Sequence, residues 1–172
     1  MLSDIYLIRH GTPAQNPAIP YNTPPGPDLS ERGRAEARQA AAFLADKGVE
    51  QLFVSPFART TQTAEVIIDV LGLPATFTTL LQEHGPGETF DTVRGRVRDL
   101  LSAAADSPQQ RVAFVSHGSP IRAALLELSK EKIDLTKHNY PGGNAAPTCG
   151  IWHVQRLDAQ QLRFELIFKP TP

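Results

Sequence analysis

Residues 111–116, RVAFVS, constrain the fold more than any other stretch of this chain. A run this short and this apolar, without alternation, reads as a strand covered on both faces. Two other short β-rich segments share the chain with it, 4–8 and 50–54 (EQLFV). Between these strands lie helical patterns. LSERGRAEARQAAAFLADKG has Ser30 as its N-cap and Gly48 at its end. SPFARTTQTAEVIIDVLG has Ser55 as N-cap, Pro56 at the first helical position and Gly72 at its end. A short strand near 75–79, a helix over 89–105 and another over roughly 120–130 complete the alternation. CGIWHVQRL and QLRFELIFK then read as a terminal hairpin. Strands alternating with helices predict a three-layer α/β/α sandwich. Its sheet is mainly parallel, with the C-terminal antiparallel hairpin at one edge.

The 172 residues form one expected domain, 1–172, long enough to bury roughly 70% of its unfolded surface. Net charge is -1, and no Lys/Arg cluster interleaves with aromatics, so neither nucleic acid nor an anionic membrane is an expected partner. The lone Cys149 excludes an internal disulfide and reads as a small core residue. No apolar run nears the roughly 20 residues of a membrane span, and no secretion signal opens the chain. The cytoplasm is the expected location; oligomeric state is not legible.

In open α/β sheets, ligands bind beyond the carboxyl ends of the strands. The first strand delivers Arg9 and His10 there, with Gly11 to let the chain turn. The second delivers Ser55 and, one helical turn on, Arg59. Strand 111–116 delivers His117 and Gly118, and the segment after 75–79 supplies Glu83 and His84. Two arginines and two histidines beside helix N-termini make a site for a small dianion, most naturally a phosphate monoester. One neutral imidazole can attack phosphorus while positioned cations hold the equatorial oxygens and a carboxylic acid protonates the leaving oxygen. No G-x-x-x-x-G-K-[ST] loop, G-x-S-x-G elbow or helical histidine pair offers a competing chemistry.

RHG at 9–11 with Asn16 beyond it, SPFARTTQTAE at 55–65, Glu83, and SHGSPIR at 116–122 resemble the histidine phosphatase superfamily, the phosphoglycerate mutase-like fold. The resemblance implies that His10 is the nucleophile that becomes phosphohistidine, and that Arg9, Arg59 and His117 bind phosphate. Glu83 is then the proton donor, and Asn16, Gly118 and Ser119 add donors. It implies no metal and no cofactor. Larger members carry an insertion after the acid glutamate; here GETF at 87–90 follows almost at once, so Glu88 competes with Glu83. The shortened region is similar to that of small phosphohistidine phosphatases. The expected activity is therefore a metal-independent phosphomonoesterase, on a phosphorylated metabolite or a phosphorylated protein side chain. The alternatives are a phosphoglycerate-type mutase and a non-catalytic phospho-ligand module. Specificity is expected in loops 12–28, 83–88 and 138–148, with His84, His138 and Tyr140 as candidate wall residues.

Overall fold

The computed structural model describes residues 1–172. Six strands form one sheet: β1 (Asp4–Arg9), β2 (Gln51–Val54), β3 (Ala75–Phe77), β4 (Arg111–Ser116), β5 (Ile151–Arg156) and β6 (Leu162–Phe168). Their order is β3-β2-β4-β1-β5-β6. The first four run parallel, and β5 and β6 are antiparallel. The expected sandwich is present, and the terminal hairpin forms one flank, with β5 interior and β6 at the edge. Four helices cover the sheet: α1 (Glu31–Leu44), α2 (Ala58–Leu71), α3 (Phe90–Ala105) and α4 (Gly118–Ser129).

The apolar runs explain the layering. Along β1, Ile5 and Leu7 enter one core with Val97, Phe114, Leu125 and Trp152. Tyr6 and Ile8 enter the other with Ala41, Leu52, Ile67 and Val115. Alternate residues of a strand point to opposite faces, so a strand covered twice must be apolar throughout. Each fully buried Leu, Ile or Phe contributes about 1.5–3 kcal/mol. Cys149 lies in the second core, where burial pushes its thiol up.

Two helix boundaries differ from expectation. Ser30 caps α1, accepting from the Gly33 N–H, but the helix stops at Leu44. Gly48 (φ 66°) closes the turn after it instead. α2 begins at Ala58, three residues beyond the predicted Ser55 cap, with Pro56 outside the helix. The Ala58 N–H donates to the Pro25 carbonyl at 2.8 Å. The proline-rich 12–28 loop thereby docks on the start of α2, and Ser55 is released for another partner. Gly11 does not turn the chain through a special dihedral. It allows close approach: a Cβ there would lie 2.6 Å from the Gly33 carbonyl oxygen in the first turn of α1.

Candidate active site

Parallel register builds the site. Arg9 of β1 lies opposite Ser116 of β4, and Val115 lies opposite both Ile8 and Val54. The next residues along the three strands, His10, His117 and Ser55, therefore emerge together at the carboxyl edge. The ladder continues through them: the His10 N–H donates to the Ser116 carbonyl, and the Ser55 N–H donates to the Val115 carbonyl. The rings of His10 and His117 stand 5.2 Å apart at 58°. His117 immediately precedes α4, and Arg59 lies in the first turn of α2.

These are deeply buried groups. His10 is 1% exposed, and His117 and Arg59 are 0% exposed. Burial, then Arg59 and Arg9, hold the His10 imidazole well below the ordinary histidine range, so it is neutral at pH 7. Its Nδ1 lies 2.8 Å from the Gly11 carbonyl oxygen. A carbonyl only accepts, so Nδ1 carries the hydrogen and Nε2 keeps a free lone pair. His117 Nε2 lies 2.8 Å from Ser55 Oγ, the partner that the displaced helix start leaves free. Its ring is also held well below the ordinary range, by burial and then by His10 and the arginines.

Around this pair, buried polar atoms go unpaired. Arg9 Nε, Arg59 Nε and Nη2, and His117 Nδ1 have no hydrogen-bond partner, whereas buried polar groups are normally satisfied. Arg59 is nonetheless firmly placed. Its guanidinium carbon sits 4.2 Å from the Tyr21 ring centroid and 4.7 Å from that of Phe57, and its Nη1 donates to the Tyr21 carbonyl at 2.9 Å. Arg9 Nη1 donates to the Ala146 carbonyl at 2.8 Å.

The neutral imidazole, its paired histidine and the unpaired arginine donors lie within the segments 5–87 and 82–161, which match the model of the histidine phosphatase superfamily (branch 1). The chain belongs to this superfamily. It is 30% identical over 155 residues to the 2,3-bisphosphoglycerate-dependent phosphoglycerate mutase of Thermoplasma acidophilum, covering 73% of this chain and 78% of that protein. It is 31% identical over 103 residues to GpmB of Erwinia tasmaniensis, named a probable phosphoglycerate mutase. That match covers 60% of this chain but only 46% of the relative, so the chain spans less than half of that protein's length. Among solved structures, a mycobacterial glucosyl-3-phosphoglycerate phosphatase superposes with TM-score 0.75 at 20% identity, covering 99% of this chain and 100% of that one. This last likeness establishes a shared fold.

In this superfamily member the two candidate acids occupy different settings. Glu83 lines a cavity of about 620 Å³ together with Arg9. Its Oε1 accepts from the His84 N–H at 2.8 Å and the Ser119 N–H at 3.3 Å. The segment before it is anchored twice: Ser116 Oγ donates to the Leu81 carbonyl, and Arg96 Nη1 donates to the carbonyls of Leu80 and Gln82. Glu88 lies outside the cavity lining. It pairs with Arg96 at 2.9 Å and accepts from the Gly85 N–H, and these contacts, acting against partial burial, hold its carboxyl below the usual range.

Asn16 does not join the cluster. Its side chain is exposed and accepts from the Ala18 N–H at 3.0 Å within its own loop. Gly118 and Ser119 open α4, and Ser119 borders the cavity. His84 lines the cavity too, whereas His138 packs edge-on against Trp152 and Tyr140 bridges to Asn144. Tyr21, Asn22 and Asn144 are wall residues that no local motif marks. The proline density of 12–28 and the PGG at 141–143 flag their loops, but not which side chains turn inward.

The depressed histidines give a pH signature. Unfolded chains bind a proton on histidine near pH 6.5, and the folded protein does so only at lower pH. Below about pH 6.5 the unfolded state thus binds more protons, and stability falls as pH falls, by up to about 1.4 kcal/mol per pH unit per histidine. Carboxylates held low, such as Glu88 and Glu127, act only below their ordinary 4.5. Urea midpoints in phosphate-free buffer should drop between pH 7 and pH 5. Unchanged midpoints would show that both histidines titrate alike in the two states.

Proposed function

We propose that this protein is a metal-independent phosphomonoesterase working through a phosphohistidine on His10. The observation that carries the reading is the pairing of a neutral His10, with Nε2 free, and four buried unpaired nitrogens on Arg9, Arg59 and His117. A phosphoryl group supplies the oxygens those nitrogens lack. The dianion selects the His117 tautomer with hydrogen on Nδ1, while Nε2 accepts from the Ser55 hydroxyl.

In the first step His10 Nε2 attacks phosphorus in line. The Nε2–P bond forms as the P–O bond to the leaving group breaks, and Glu83 gives its proton to the departing oxygen. An adjacent dianion favours the protonated form of a carboxyl, which suits that task. The two guanidiniums match phosphoryl oxygens and stay charged throughout. In the second step water attacks the phosphohistidine, Glu83 takes its proton, and inorganic phosphate leaves with His10 restored.

The mutase alternative requires the phosphoryl group to be shielded from water and returned to a second hydroxyl. The cavity beside Glu83 opens to solvent, which favours hydrolysis. Turnover of p-nitrophenyl phosphate should persist in millimolar EDTA, and rapid quench should trap acid-labile, alkali-stable phosphate on His10. Loss of turnover on chelation, restored by a divalent ion, or trapping on any other residue, would overturn the mechanism.

A further inference from the structure

The cavity beside the proposed phosphoryl site says what kind of leaving group it accepts; this inference rests on the phosphatase reading. At about 620 Å³ it has room for an organic group well beyond the phosphoryl unit and lies within the range of small-molecule sites. Its wall outside the phosphate set offers hydrogen-bonding side chains: Tyr21, Asn22, His84, Ser119 and Asn144. The three loops that form it, 12–28, 83–88 and 138–148, contain no lysine or arginine. Arg9 is the only lysine or arginine of the lining and belongs to the phosphoryl group, and Glu83 is the proposed acid.

Two of the wall groups are held in set orientations. His84 Nε2 lies 2.7 Å from the Glu88 carbonyl oxygen, so it carries a hydrogen and donates there. Asn144 lies across Gly118, where any Cβ would collide with its side chain, and its Nδ2 donates to the Pro141 carbonyl at 2.7 Å. A leaving group rich in hydroxyls meets donors and acceptors on this wall. A leaving group bearing a carboxylate finds no lysine or arginine on this wall to pair with, since Arg9 is taken by the phosphoryl group. A site that leaves a charged group unpaired rejects it far more strongly than one that mismatches a methylene.

We propose that the substrate is a small phosphomonoester whose leaving group is uncharged and polyhydroxylated, as in a sugar or polyol phosphate, and that carboxylate-bearing phosphates are rejected. The matched probes are glycerol 3-phosphate and 3-phosphoglycerate, which differ by one hydroxymethyl against one carboxylate. They are assayed in EDTA with glucose 6-phosphate, p-nitrophenyl phosphate and a phosphohistidine-bearing protein. Wild type should show kcat/KM at least about tenfold higher for glycerol 3-phosphate than for 3-phosphoglycerate, a gap of 1.4 kcal/mol. Asn22→Lys, which places a cation on the exposed wall, should narrow that ratio severalfold, a shift that a merely structural role for Asn22 would not produce. Equal or better turnover of 3-phosphoglycerate overturns the inference. So does a phosphohistidine protein preferred over every small ester, or turnover confined to p-nitrophenyl phosphate. If every ester including p-nitrophenyl phosphate is inert, the phosphatase reading itself fails.

Discussion

His10→Ala is expected to lower kcat by on the order of 10⁴-fold or more, because the residue that carries the covalent step has no substitute. Ser55 Oγ is committed to His117, and His117 Nε2 to Ser55, so neither is free to take over attack. The variant separates chemistry from binding. Arg9 and Arg59 are held by backbone carbonyls and by aromatic rings, not by His10. Inorganic phosphate should therefore still bind to His10→Ala within about a few-fold of wild type, read by isothermal titration. Removing the imbalanced buried imidazole also relieves acid sensitivity, so the urea midpoint of the variant should change less between pH 7 and pH 5. Turnover within tenfold of wild type would refute the phosphohistidine route.

Glu83→Gln should show an effect that depends on the leaving group. For alkyl esters, whose alkoxide is a poor leaving group, kcat should fall by about 10²–10⁴-fold, the usual worth of a positioned general acid. For p-nitrophenyl phosphate the phenolate departs unaided, so formation of the phosphoenzyme should be nearly normal. Its hydrolysis lacks the base that activates water, and the phosphohistidine should accumulate in rapid-quench samples. Glu88→Gln breaks an ion pair with Arg96 whose partners are 27% and 18% exposed, and should cost less than tenfold. An inverted order, with Glu88→Gln the severe variant, would reassign the acid.

The candidate site is legible in the sequence because it sits where strands stop. β1, β2 and β4 are marked by apolar runs, and parallel pairing aligns their ends, so Arg9, His10, Ser55 and His117 follow from short-range pattern alone. Ser55 shows the limit of that reasoning. A serine followed by proline has the pattern of a helix start, yet tertiary contacts gave its hydroxyl to His117 and let the Pro25 carbonyl serve α2 instead. Asn16 is a phosphate donor only by the resemblance; in a loop with six prolines its side chain instead satisfies its own turn. Tyr21 and Asn144 reach the site across 38 and 26 residues of chain, from Arg59 and Gly118 respectively. No periodicity encodes such contacts.

The aromatic sandwich around Arg59 ties two properties together. One segment, 12–28, supplies the ring and carbonyl that hold the Arg59 guanidinium, proposed to bind phosphate, and also part of the cavity wall. Diversification of this scaffold is thereby coupled. A transplanted or lengthened loop that recognises a new alcohol must bring its own roof for Arg59, or it loses grip on every phosphate ester alike. Retargeting is simpler from the other side: Pro141, Gly142 and Asn144 line the same cavity, whereas Arg59 is held by Tyr21 and Phe57. Substitutions there can exchange one substrate for another while the core chemistry stays intact.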